Sequence, residues 1–317
     1  MQPEMAEILF RAGRSQAERI LGLGDRDRDS RTYGCYDRMY WHYAMIDFPS
    51  AWFQGACRYL SLLYQVDHPD NPFFQSDHIR RWALAAADFF ARMTHRSGAA
   101  DEAYPGEHSF CATAFCAGDA LYTYRVLQAE PPRLEYTVEF LGRAPQSPAA
   151  NQEAARCYAL AEARLAGYDT QGWLDSALER LLCSYQAHGF FPEYGGYDLG
   201  YTSITCGLLE NLLAALPGLP QAKTVEEIIG RCLDRADQET DAMGRYDWSV
   251  MNRRTQFIYP LSAVKRGHPL ADKVLQGIRS GVMVQPGWLD DRYVVKLASD
   301  YLEAVQNIVV DQSPGKL

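Results

Sequence analysis

Several features are missing from this chain, and each absence removes a class of function. The eight cysteines (Cys35, Cys57, Cys111, Cys116, Cys157, Cys183, Cys206 and Cys232) form no Cys-x-x-Cys pair and no clustered Cys/His spacing, which argues against a zinc module or a disulfide framework. Basic residues are in the minority, 31 Lys plus Arg against 40 Asp plus Glu, and the formal net charge of -9 leaves no counterion-releasing surface for nucleic acid. No stretch approaches the roughly 18 unbroken apolar residues of a membrane-spanning helix. The opening residues "MQPEMAEILFRAGRSQAERILGLG" lack a basic start, a continuous apolar core and a small-residue cleavage site, so a cytoplasmic location is expected. Nothing in the pattern supports a sheet.

What the chain does have is helical periodicity along most of its length. It runs through "EMAEILFRAGRSQAERIL", "SAWFQGACRYLSLLYQV", "IRRWALAAADFFARM", "SFCATAFCAGDALYTYRVL", "NQEAARCYALAEARLAG", "WLDSALERLLCSYQAHG", "SITCGLLENLLAAL", "TVEEIIGRCLDRA" and "YVVKLASDYLEAV". The breaks are short, as in "LPGLPQAKT", where Thr224 is positioned to cap the next helix, so consecutive helices are expected to pair as antiparallel hairpins. Some helices are apolar and rich in small residues around most of their circumference, whereas others carry one charged face. The former belong inside and the latter outside. The expected fold is all-α: one domain over residues 1–317, an incomplete (α/α) toroid built from helical hairpins.

Three loops share one chemical style. Residues 33–52 ("YGCYDRMYWHYAMIDFPSAW"), 101–115 ("DEAYPGEHSFCATAF") and 189–213 ("GFFPEYGGYDLGYTSITCGLLENLL") combine Tyr, Gly and Pro with charged side chains, and each runs into a small-residue apolar helix. If those helices are inner staves, their N-termini open at one pole and offer free N–H donors to a bound carboxylate. Two further segments belong with them: "SPAANQEAARCYAL", where Ser147 or Asn151 begins a helix, and "MGRYDWSVMNRRTQFIYP", with Arg245, Arg253 and Arg254 among aromatics. The candidate ligand contacts are Asp37, Arg38, Tyr40, Trp41 and His42; Glu102, Tyr104 and Glu107; Gln152 and Glu153; and Glu193, Tyr194 and Asp198. The competing reading for each of them is helix capping or loop sealing.

The stretches "YDRMYWHYAMIDFPSA", "DEAYPGEHSFCATAF", "NQEAA", "GFFPEYGGYDLGY" and "NRRTQF", in this order over roughly residues 33 to 260, resemble the helical-toroid portion of the heparinase II/III-like family, in particular its short members associated with polysaccharide biosynthesis. The resemblance implies a toroid related to polysaccharide lyases and uronate epimerases. Larger members follow the toroid with a β-sandwich, and no β-rich segment follows it in this sequence.

Such enzymes remove the proton beside a sugar carboxylate, whose charge has to be neutralised as the carbanion forms. The resemblance implies Tyr201 as first choice for the acid/base and His108 as second, with Asn151, Gln152 and Arg253 as carboxylate donors. The expected ligand is a small molecule or oligosaccharide, with neither metal nor other cofactor. Three alternatives stay open. One is a glycoside hydrolase using two of Glu102, Glu107, Glu193 and Asp198. The second is an isoprenoid or other natural-product cyclase, although Asp-Asp-x-x-Asp and Asp-x-Asp-Asp motifs are absent. The third is a non-catalytic glycan-binding or scaffold protein.

Overall fold

The computed structural model describes residues 2–170 and 172–311. Among these the chain is all-helical with no strand, and only isolated bridges such as Ala149 to Glu193 pair extended residues.

The helices alternate between two layers. The inner ones are α4 (Ala56–Gln65, led in by the 3-10 turn Ala51–Gly55), α6 (Phe110–Val126), α8 (Ala150–Leu165), α10 (Leu199–Ala215), α12 (Leu261–Lys265) and α14 (Val294–Asp311). Each packs on the next, and α14 packs back on α4, so the contacts run in a ring of the kind a toroid requires. Outside lie α5 (Asp77–Met93) against α4 and α6, α7 (Glu135–Arg143) against α6 and α8, and α9 (Trp173–His188) against α8. Further round, α11 (Ala222–Glu239) packs on α10, α13 (Leu270–Ser280) on α11 and α12, and α1 (Gln2–Arg14) on α14. Two short helices, α2 (Ala17–Leu23) and α3 (Arg38–Trp41), lie between α1 and α4.

The layering follows from the side chains. In α11 the buried residues Val225, Ile228, Ile229, Cys232, Leu233 and Ala236 recur every three or four positions, giving one apolar stripe facing α10. In α6 nearly every residue from Ala112 to Tyr124 is buried, so the helix has no solvent face. Small residues let the inner helices approach closely: a Cβ at Gly118 of α6 would lie 2.9 Å from the Tyr158 ring of α8. Gly34 is fixed for a second reason, with φ +89 and an added Cβ only 2.0 Å from the Ala85 carbonyl oxygen.

Several boundaries differ from expectation. Thr224 lies inside α11, whose N-cap is Gln221 and carries no side-chain cap bond. Neither Ser147 nor Asn151 begins α8: Ala149 is its N-cap and Asn151 sits within its first turn. The first periodic run is broken at Ser15 and Gln16 into α1 and α2, and α3, α7, α12 and α13 have no counterpart in the periodic runs. All eight cysteines are free thiols, six of them buried. No described helix is long and apolar enough to cross a membrane.

Candidate active site

The inner helices present their N-terminal ends to a cleft of about 760 Å³. Phe110 on α6, Asn151 and Gln152 on α8 and Tyr201 on α10 line its mouth, each within the first turns of its helix. Asp119, Tyr158, Asn211 and Glu303 line it further along the same helices. From Tyr201 to Asn211 the α10 axis rises about 15 Å, so the cleft reaches well into the ring.

Two buried carboxylates frame the mouth. Asp198, the N-cap of α10, accepts the Tyr201 N–H at 3.1 Å and the Arg253 N–H at 2.8 Å, and also bonds the Thr255 hydroxyl. It thereby fastens the 253–255 segment to the start of α10. The Arg253 guanidinium lies 4.8 Å from the Tyr194 ring centre and 5.4 Å from that of Tyr201. Glu193 accepts both the backbone N–H of Asn151 at 2.9 Å and its side-chain amide at 2.5 Å. Burial pushes the Glu193 carboxyl up to about 7 against the pull of those bonds, and burial likewise pushes the Tyr201 phenol up to about 12, with Arg253 opposing.

His108 enters the cleft from the 101–109 loop with φ +54, a conformation held by Asp101, which accepts its N–H at 3.0 Å. Its ring stacks on His95 at 4.3 Å and its Nδ1 lies 3.2 Å from the Ser97 hydroxyl. Asp101 also pairs with His95 at 2.9 Å, and hydrogen bonds from His108, Gly106 and His95 outweigh burial to hold its carboxyl below the ordinary range. Glu107 folds back to accept the N–H groups of Glu102 and Ala103, while Glu102 accepts the Ser109 hydroxyl and pairs with Arg292.

Deeper in the cleft lies a charge network with no counterpart in the loop pattern. Arg58 donates to both oxygens of Glu303 at 2.7 Å and to the Tyr158 hydroxyl at 2.7 Å. Lys296 pairs with Asp119, with its ammonium 5.3 Å from the Trp52 ring centre. Asp300 completes the group.

Of the expected site residues, the cleft brings together Tyr201, His108, Asn151, Arg253, Glu102, Glu107, Gln152 and Tyr194. The others lie elsewhere. Glu193 and Asp198 have no exposed surface, and Glu153 is 1% exposed beside Arg156; these three act as internal fasteners instead of lining the wall. Asp37, also fully buried, caps α3 and accepts the Ser50 N–H at 2.9 Å. Arg38 and Trp41 donate to the carbonyls of Gly22 and Leu23 at the C-terminal end of α2, while Tyr40 and His42 sit with them away from the cleft lining. The first loop contributes only Trp52 to the cleft. Tyr104 is exposed outside the lining.

The expected free N–H donors are also largely taken, because Ser109 caps α6, Asp198 caps α10 and Glu193 holds the Asn151 N–H. Capping prevails over anion binding at these positions. The residues missed by sequence reasoning are Arg58, Asp119, Lys296, Asp300 and Glu303. One signal for them was available: Lys296, Ser299, Asp300 and Glu303 make a polar stripe at helical spacing within "YVVKLASDYLEAV", a segment otherwise apolar.

Among the described residues, one His/carboxylate group has metal-like spacing, Glu7 with His68 and Asp70. His68 stacks on Phe10 at 3.7 Å, its Nε2 faces Glu7 at 3.1 Å and its Nδ1 accepts the Asp70 N–H, so both ring nitrogens already have protein partners. Comparison of the chain with known protein families, curated proteins and solved structures finds no match.

Proposed function

We propose that the protein is a lyase or epimerase acting on a uronate-type sugar by abstracting the proton beside its carboxylate. The observation that carries this reading is the convergence at one cleft mouth of Tyr201, the Arg253 guanidinium over its ring and an Asn151 amide oriented by Glu193. A cation and an amide donor together neutralise a carboxylate, and the charge that develops beside it on proton loss is stabilised by the same groups. Tyr194 and Tyr201 supply aromatic faces for the sugar ring.

The raised phenol divides the roles. At neutral pH Tyr201 is protonated and acts as proton donor, and His108 is the acceptor in the same cleft. In elimination, the His108 ring takes the carbon-bound proton, the carbon–oxygen bond to the neighbouring sugar breaks as the double bond forms, and Tyr201 protonates the departing oxygen. The resulting phenolate lies beside Arg253 and regains its proton from His108 through solvent. In epimerisation the first step is the same and a proton returns to the opposite face.

The test is incubation with uronate-containing oligosaccharides in deuterated water, following absorbance of the conjugated product and deuterium at the sugar carbon by mass spectrometry. Either signal, lost in Tyr201→Phe, supports the reading. Binding with neither signal makes the protein a glycan-binding module, and hydrolysis without deuterium uptake transfers the site to the glycosidases.

A further inference from the structure

The groups assigned to the reaction lie at the mouth, yet the cleft continues nearly two turns of α10 below Tyr201, to a point where Gly207 faces Asp300. We propose that this lower half is a second subsite, built for an uncharged, hydroxyl-bearing ring, with the Asp300 side chain as its anchoring hydrogen-bond group. The proposal rests on reading the cleft as a sugar site.

Three observations carry it. Asp300 is 7% exposed and lines the cleft, and its Oδ1 accepts the Leu261 N–H at 3.0 Å, while its Oδ2 has no hydrogen-bond partner among the described residues. Oδ2 is therefore the open corner of a side chain that is otherwise enclosed, accessible from the cleft alone, and a ligand hydroxyl can supply its partner. Next, the space in front of Oδ2 exists because residue 207 is glycine: an added Cβ would stand 3.4 Å from that oxygen. Finally, the cations of the lower half are already committed, Arg58 to Glu303 and Lys296 to Asp119, so an anionic group gains no free counter-charge there. Arg253, which makes no ion pair among the described residues, stands at the mouth.

Burial, with Glu303 one turn along α14, pushes the Asp300 carboxyl well above the ordinary carboxylate range. That shift favours the protonated form, which donates as well as accepts and suits a hydroxyl partner. The Tyr158 and Tyr259 rings also face the lower cleft and offer apolar surface to a sugar ring. A ligand spanning both halves therefore enters by one end, with its carboxylated ring at Arg253 and its neutral neighbour beside Asp300.

The test titrates the full chain with three probes, followed by tryptophan fluorescence: glucuronic acid, glucose, and the disaccharide of glucuronic acid joined to glucose. The disaccharide is expected to bind about tenfold or more tightly than glucuronic acid. Gly207→Ala, which favours the helix while covering Oδ2, should weaken the disaccharide about fivefold or more and leave glucuronic acid within about twofold. Asp300→Asn, which retains a donor at that position, should keep the advantage, and Asp300→Ala should lose it. Equal affinities for disaccharide and glucuronic acid, or a Gly207→Ala variant that weakens both alike or neither, overturn the subsite and leave the proposed function standing. If neither glucuronic acid nor the disaccharide binds, the sugar reading itself is wrong and the subsite falls with it.

Discussion

The Glu193 carboxylate grips Asn151 at two points, accepting its backbone N–H at 2.9 Å and its side-chain amide at 2.5 Å, with no exposed surface of its own. One acidic side chain thus caps the start of α8 and sets the direction of an amide that faces the cleft. Folding stability and the positioning of this amide respond to pH in opposite directions.

Burial raises the Glu193 carboxyl to about 7, so between the unfolded value and neutrality the folded chain binds more protons than the unfolded one. The contribution of this group to stability is therefore full at low pH and lost as pH rises through about 7. Positioning runs the other way, because only the ionised carboxylate accepts from Asn151 with both oxygens. Turnover should rise with pH through this range. Glu193→Gln should flatten both dependences and cost about 1–3 kcal/mol, by opposing an amide donor to the Asn151 N–H groups; chemical denaturation and kcat across pH 5 to 9 check this.

Tyr201→Phe removes one hydroxyl that has no hydrogen-bond partner among the described residues, so the melting temperature should hardly change. Loss of the proton donor should lower kcat about 10²- to 10⁴-fold with little effect on KM. Near-normal turnover by this variant would remove Tyr201 from the mechanism.

Arg253 is exposed and rests on two tyrosine rings, so its replacement by methionine should cost the fold under about 1 kcal/mol. The KM for a carboxylated sugar should rise about tenfold or more, while affinity for its methyl ester stays level. Equal losses for acid and ester would show that Arg253 shapes the cleft without pairing a carboxylate.

The Lys296 and Asp119 side chains are about nine-tenths buried as a pair. Lys296→Met alone leaves a buried carboxylate without its ammonium partner and should cost about 3–5 kcal/mol, whereas Lys296→Met with Asp119→Leu should recover most of that loss. Urea denaturation of the two single variants and the double variant measures the coupling.

The class of fold was legible because burial is written as periodicity: the charged stripe of α11 and the mostly apolar, small-residue circumference of α6 assign their layers without coordinates. Short helices were not legible, since α12 is five residues long and its position comes from the Pro260 turn and its packing on α14. The 101–109 and 189–201 loops, singled out by local chemistry, both reach the cleft, through Glu102, Glu107 and His108 in the former and Tyr194 and Tyr201 in the latter, but the acids of the 189–201 loop turn away from it. Asp198 points inward to backbone donors of α10 and of the 253–255 segment, and Glu193 to the backbone and side-chain N–H groups of Asn151, partners that only the assembled fold brings within reach. The first loop matched in composition and still lies apart, because Arg38 and Trp41 find carbonyl partners at Gly22 and Leu23. The deep charges were hidden among apolar neighbours, and their pairings join residues far apart in sequence.

Arg58 and Glu303, which meet at the base of the cleft, are separated by 245 residues of chain. During synthesis Arg58 emerges long before its partner, and α4 lacks one flank until α14 follows. The cleft is therefore complete only once α14 is seated against α4. Until then a cation and an apolar seam stand open to solvent, and this interval, more than the finished ring, is where the chain is exposed to misassembly and to chaperones.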